Sequence, residues 1–82
     1  MHVSEGIRSH IRVVIANVTR IDTDEVRDDV LFREELGIDS LLGMEIIAAC
    51  ERQLSLHIDE SRCADIVTVG DFLDYLEHLA RR

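Results

Sequence analysis

Apolar residues at spacings of three and four, together with an absence of proline, constrain this chain to a helical fold. Near the N-terminus the pattern predicts a first helix from Ser4 to Val18 or a little beyond, with Ser4 as its N-cap. The predicted apolar stripe consists of Val3, Ile7, Ile11, Val14, Ile15 and Val18. A β-branched run over 13–15 would suit a strand, but it is too short to outweigh the longer helical period.

The middle of the chain predicts a second helix that begins at Ser40 and runs to about Leu54, with Asp39 as its cap. Its predicted buried face consists of Leu42, Ile46, Ala49, Cys50 and Leu54. Gly43 costs this helix about 1 kcal/mol relative to alanine. Gly43 has two interpretations. Its missing side chain leaves room for a group that lies close to the backbone, or the glycine has no special role and the packed helix tolerates it.

The C-terminal part predicts a brief helical turn near 59–64 and a final helix that starts at Thr68. Thr68 and Asp71 have the spacing of a capping box, and Arg81 and Arg82 suit the negative end of the helix dipole. The predicted buried face consists of Val69, Phe72, Leu73, Leu76, Leu79 and Ala80. The expected fold is all-α: a small bundle of three main helices plus a short helix before the last one.

Length and charge limit the possible functions. The 82 residues suit one domain over 1–82, with an aliphatic core because only 4% of the residues are aromatic. Seventeen acids oppose nine bases, all arginine, and the net charge of −8 disfavours nucleic acid and anionic membranes. We found no membrane-spanning stretch, no signal peptide and only two cysteines, so we expect a cytoplasmic protein without disulfides. We also expect it to be a monomer.

The segment over 22–39 is an acidic connection between the first two predicted helices. It has eight acids against two arginines, a local charge of −6. Apolar residues that a solvated linker would not need interrupt it, namely Val26, Val30, Leu31, Phe32 and Leu36. We therefore predict that the connection folds back onto the core, with a short helical turn.

Ser40 stands at the start of the second helix, where backbone N–H groups are unpaired and the helix dipole is positive. Such a position favours a phosphate-linked group. A catalytic serine would need a base and an orienting partner, and nothing in the sequence links any of the four histidines to Ser40. We predict no catalytic residue and a Ser40 that another enzyme modifies. The alternative is an unmodified helical interaction module.

Two possible metal sites are incomplete. The run over 22–24 begins like a calcium loop, but Val26 and Arg27 stand where an EF-hand needs a ligand and its glycine. His57 and Cys63 would supply only two zinc ligands. We therefore predict no metal.

The segment Leu36-Gly37-Ile38-Asp39-Ser40-Leu41 and the helix after it resemble the attachment motif of acyl carrier proteins. The similarity extends to the approach over 30–37 and to the runs over 58–60 and 66–72. The resemblance implies that a 4′-phosphopantetheine arm, derived from coenzyme A, is joined to Ser40 through a phosphodiester. The thiol of this arm would hold an acyl chain as a thioester.

The same resemblance implies partner enzymes with basic docking patches. Asp39 and Leu41 match the residues that a phosphopantetheinyl transferase recognises beside the serine. Met44, Glu45 and Glu51 match positions on the second helix that acyl-loading enzymes, ketosynthases and other acyl-processing enzymes contact. Met44 has an equally simple interpretation as a packing residue.

Three departures from the family pattern bear on the pathway. Leu42 and Arg52 stand where fatty-acid carriers often have acids, and the proline common between the second and third helices is missing. These differences favour a specialised pathway such as polyketide synthesis over primary fatty-acid synthesis. An aminoacyl or peptidyl cargo of a nonribosomal pathway is the alternative, although the acidity of the chain and Asp39 favour an acyl cargo.

Overall fold

Three α-helices and two short 3₁₀ helices make up the computed structural model, which describes residues 3–81. The helices are α1 (Val3–Thr19), α2 (Ser40–Leu54) and α3 (Val69–Ala80), and the 3₁₀ helices span Thr23–Glu25 and Glu60–Asp65. Among the described residues, the only β-pairing is one isolated bridge between Leu31 and Thr68. The prediction of a small all-α bundle with a short helix before the last one is confirmed.

The apolar stripe of α1 packs into the core, as its period predicts. Ile11, Val14 and Ile15 are buried, while Ile7 and Val18 are partly buried against them. The predicted N-cap is wrong, because α1 begins at Val3 and Ser4 therefore lies within the helix. The side chains of residues 3–5 lie outside the described part of the structure, and so does the predicted place of Val3 on the stripe.

The helices α2 and α3 begin at their predicted caps. Asp39 Oδ1 accepts a hydrogen bond from the Leu42 N–H at 2.9 Å. Thr68 Oγ1 accepts from the Asp71 N–H at 3.1 Å, and Asp71 Oδ2 accepts from the Thr68 N–H at 3.1 Å, which completes the capping box. Of the predicted buried face of α3, four residues are buried and Leu79 is partly buried, whereas Ala80, the last residue of the helix, is exposed.

The acidic connection folds back onto the core, and the prediction is confirmed. Val26 and Val30 are buried. The Val69 N–H donates to the Val30 carbonyl at 2.9 Å, and the Phe32 N–H donates to the Val67 carbonyl at 3.0 Å. These bonds fasten the connection to the start of α3.

An ionic cluster joins α1 to the connection and to α3. The Arg8 guanidinium lies 3.1 Å from Asp28, 2.9 Å from Asp74 and 3.3 Å from Glu77. Arg12 also donates to Asp28, and this hydrogen bond is the main reason that the pKa of Asp28 is lowered.

Cys50 is fully buried on α2, which confirms its predicted place in the core. Burial raises the pKa of its thiol to about 12, so the side chain stays protonated near neutral pH. In the part of the chain that the structure describes, no helix is long and apolar enough to cross a membrane.

Candidate functional site

Ser40 is held with its side chain exposed at the first position of α2. The chain turns sharply just before it, at Gly37, whose φ of +66° lies in the left-handed region that glycine adopts without strain. The Gly37 N–H donates to the Arg33 carbonyl at 3.2 Å, which closes this turn. Ile38 is buried and Asp39 caps the helix, so the segment that follows the turn is anchored to the core and to α2.

The start of α2 is favourable for an anion. Ser40 and Leu41 are its first two residues, and their N–H groups have no carbonyl one helical turn earlier to donate to. The first regular helical bond is donated by the Gly43 N–H to the Asp39 carbonyl at 2.9 Å. An anion joined to Ser40 would therefore meet unpaired donors and the positive end of the helix dipole.

A groove of about 500 Å³ opens beside Ser40. It is lined by residues of the connection before α2, of α2, of the second 3₁₀ helix, of the segment after that helix and of α3. Its apolar lining includes Ile46, Ile47, Ile66 and Phe72. Phe32 meets Phe72 edge to face at this groove, with ring centroids 5.8 Å apart and an interplanar angle of 80°. A flexible apolar chain that starts at Ser40 could lie in this groove.

Three of the residues predicted to contact partners are exposed along the first turns of α2, and we call Leu41, Met44 and Glu45 the docking face. Leu41 is 68% exposed and Met44 is 57% exposed. Such exposure disfavours the interpretation of Met44 as a simple packing residue. Met44 also lines the groove, so the docking face and the groove adjoin at this side chain.

Glu51 differs from the docking face in its contacts. Its side chain is only partly exposed, and Oε2 accepts a hydrogen bond from the Ile58 N–H at 2.8 Å. Its carboxylate therefore stabilises the segment that follows α2. A role in partner recognition stays a prediction.

The structure also places residues at the site that the sequence had not indicated. Val67 is 52% exposed. Val67, Arg33 and Cys63 all line the groove. Burial is the main cause of a raised pKa at the Cys63 thiol. Because these residues lie outside the three α-helices, helical periodicity does not relate them to Ser40.

No histidine is among the residues of the described region that line the groove beside Ser40. His10 lies within hydrogen-bonding distance of Gln53, at 2.7 Å, and His57 lies 3.8 Å from Glu51. Among residues 3–81, no group of three or more histidine, cysteine, aspartate or glutamate side chains is placed to hold a metal ion.

Comparison with known proteins identifies the family. Residues 9–76 match the family described as the phosphopantetheine attachment site. The acyl carrier protein of Wolinella succinogenes is 33% identical over 72 residues, which cover 88% of this chain and 95% of that protein. The acyl carrier protein of a Sulfurovum species is 32% identical over 69 residues, which cover 84% and 92%. The chain belongs to the acyl carrier protein family.

A solved structure of the acyl carrier protein from Enterococcus faecalis, described as having high thermal stability, supports the same assignment. It superimposes with a TM-score of 0.76 at 26% identity and covers 95% of this chain and 99% of its own. The predicted resemblance is thereby confirmed.

A member of this family is a carrier protein and not a catalyst, and it bears a covalently attached 4′-phosphopantetheine. Its role involves a phosphopantetheinyl transferase and acyl-processing enzymes. The start of α2 fits such a group, because it combines an exposed hydroxyl, unpaired N–H donors and an adjoining apolar groove. The arm supplies the thiol that forms the thioester, and the protein supplies the position of that arm.

Proposed function

We propose that Ser40 is the attachment residue and that the protein presents acyl thioesters on its arm to successive biosynthetic enzymes. The main observation is the exposure of Ser40 at the opening of the apolar groove. Asp39 takes part through its carboxylate, which caps the helix that begins at Ser40.

Intact mass after incubation with coenzyme A and a broad-specificity phosphopantetheinyl transferase tests this assignment. The wild-type protein should gain the mass of one phosphopantetheine, and Ser40→Ala should gain none. Ser9→Ala is the matched control, because Ser9 is also exposed on a helix but lies on α1. A full gain on Ser40→Ala would show that another residue is modified.

For the pathway, we propose a polyketide-type role in preference to primary fatty-acid synthesis. Leu42, where fatty-acid carriers often have an acid, packs against the core edge, and Arg52 is exposed at the end of α2. The second helix therefore presents less negative charge than the preceding connection. The mass of the thioester isolated from the native host would distinguish a polyketide intermediate from a fatty acyl chain or an aminoacyl group.

We further propose that the protein is a monomer and that it is located in the cytoplasm. The net charge of −8 supports the monomer, because like-charged copies repel one another. Sedimentation equilibrium at low and high salt would test the monomer, and fractionation of the native host would test the location.

A further inference from the structure

Arg33 lies beside Ser40, although the two residues are seven positions apart in the sequence. Both residues line the groove, and both also line a smaller cavity of about 240 Å³ at the turn before α2. The hydrogen bond from the Gly37 N–H to the Arg33 carbonyl holds this turn closed at 3.2 Å. The backbone thus keeps Arg33 next to the start of α2.

The charged surroundings of Ser40 are otherwise acidic. The charged residues that line the groove are Arg33, Glu34, Asp39 and Glu60. Asp39 already places a carboxylate at the N-terminus of α2, where it accepts from the Leu42 N–H. A phosphodiester on Ser40 would add a second anion next to this carboxylate. Arg33 is the one base among the described groove residues that can offset their repulsion.

The Arg33 guanidinium is available for such a contact. It is exposed, and no carboxylate of residues 3–81 lies within ion-pair distance of it. Arg8, Arg12 and Arg27 differ in this respect, since each pairs with an aspartate. A guanidinium presents planar N–H groups that can donate to two oxygens of one phosphate.

We propose that Arg33 binds the phosphodiester of the arm on Ser40, with its N–H groups donating to the two non-bridging oxygens. This inference rests on the proposed attachment at Ser40. Arg33 is a positioning residue, because it orients the first bonds of the arm at the mouth of the groove. Since exposed ion pairs are weak and are screened by salt, the contact biases the arm without preventing it from swinging out to a partner.

Nuclear magnetic resonance on the modified protein tests the contact without any enzymatic assay. Intact mass first verifies one arm per chain. The Nε–Hε signal of Arg33 should then move on conversion from the unmodified to the modified form. The ³¹P signal of the arm should differ between wild type and Arg33→Gln, and high salt should move the wild-type signal towards that of the variant.

Arg52→Gln is the matched control, because it removes the same charge from an exposed residue at the far end of α2. Its ³¹P signal should remain that of the wild type. Arg33→Lys keeps the charge but loses the planar donors, and it should recover part of the wild-type signal. If the modified protein shows no change at Arg33 and the same ³¹P signal in Arg33→Gln, the contact does not exist, while attachment at Ser40 stands. If Ser40→Ala still gains the arm, both proposals fail.

Discussion

The carboxylate of Glu51 accepts a hydrogen bond from the backbone N–H of Ile58 at 2.8 Å, and so fastens the end of α2 to the segment that follows it. Ile58 is buried, so the bond also anchors a core residue. The family resemblance assigns Glu51 to partner recognition. The contact shows that its carboxylate has an internal function, which must be separated from any external one.

Glu51→Ala should therefore destabilise the fold by about 1 kcal/mol, because the Ile58 N–H loses a partly buried acceptor. Glu51→Gln should destabilise it much less, since the amide oxygen can still accept. Urea denaturation of the two variants measures the difference. Equal midpoints for Glu51→Ala and wild type would mean that this bond contributes nothing. Because Glu51→Gln removes only the charge, any loss of acyl transfer in it would report on docking.

Glu45 belongs to the docking face, and no internal hydrogen bond or ion pair of its side chain appears among the described residues. Glu45→Lys should slow acyl transfer from a partner several-fold, because partners with basic patches are attracted by acids at this face. The wild-type rate should fall as salt rises, since exposed charges are screened.

Glu25→Lys changes the net charge equally, at an exposed residue of the first 3₁₀ helix. If Glu25→Lys lowers the rate of acyl transfer as much as Glu45→Lys does, the effect comes from the net charge and not from a localised docking face.

Asp28 should make the stability of the fold depend on pH in the acidic range. Arg12, and then Arg8, hold its pKa below the ordinary value of 3.8. Because the folded pKa is lower than the unfolded one, the contribution of Asp28 is present above the unfolded value and is lost as pH falls through the folded value. Asp28→Asn should thus cost less than about 1 kcal/mol near pH 7, since the side chain is half exposed.

The difference between Asp28→Asn and wild type should be constant down to about pH 5 and should shrink below about pH 4. Urea denaturation across this range measures it. Asp29→Asn is the control, since Asp29 is well exposed and lies 3.7 Å from Arg27. A difference that grows on acidification would contradict the assigned sign.

Two glycines in helices should respond to alanine in opposite ways. A Cβ at Gly43 would meet no atom within 4 Å, so Gly43→Ala should stabilise α2 by about 0.5–1 kcal/mol. A Cβ at Gly70 would lie 3.0 Å from the Asp28 carbonyl oxygen, which accepts the Gly70 N–H at 2.8 Å. Gly70→Ala should therefore destabilise the protein. Thermal unfolding of both variants gives the comparison, and two shifts in the same direction would contradict it.

The helices and their caps were predictable because they depend on local chemistry. Asp39 and Thr68 each accept from an N–H three residues ahead, a distance that the sequence shows directly. The burial of Val26 and Val30 was also predictable, since apolar residues within an acidic connection have a reason to leave water. Local chemistry did not predict the start of α1 correctly, because the helix includes Ser4 instead of beginning after it.

The sequence by itself determined an all-α carrier fold with an exposed serine at the start of α2, because helical period, N-caps and the motif around Ser40 all act over a few residues. Only the tertiary structure decided that Arg33 and Val67 border that serine's groove and that Glu51 is tied to Ile58. These relationships follow from how the turn before α2, the second 3₁₀ helix and the start of α3 pack together. Side-chain spacing along the chain does not encode such packing.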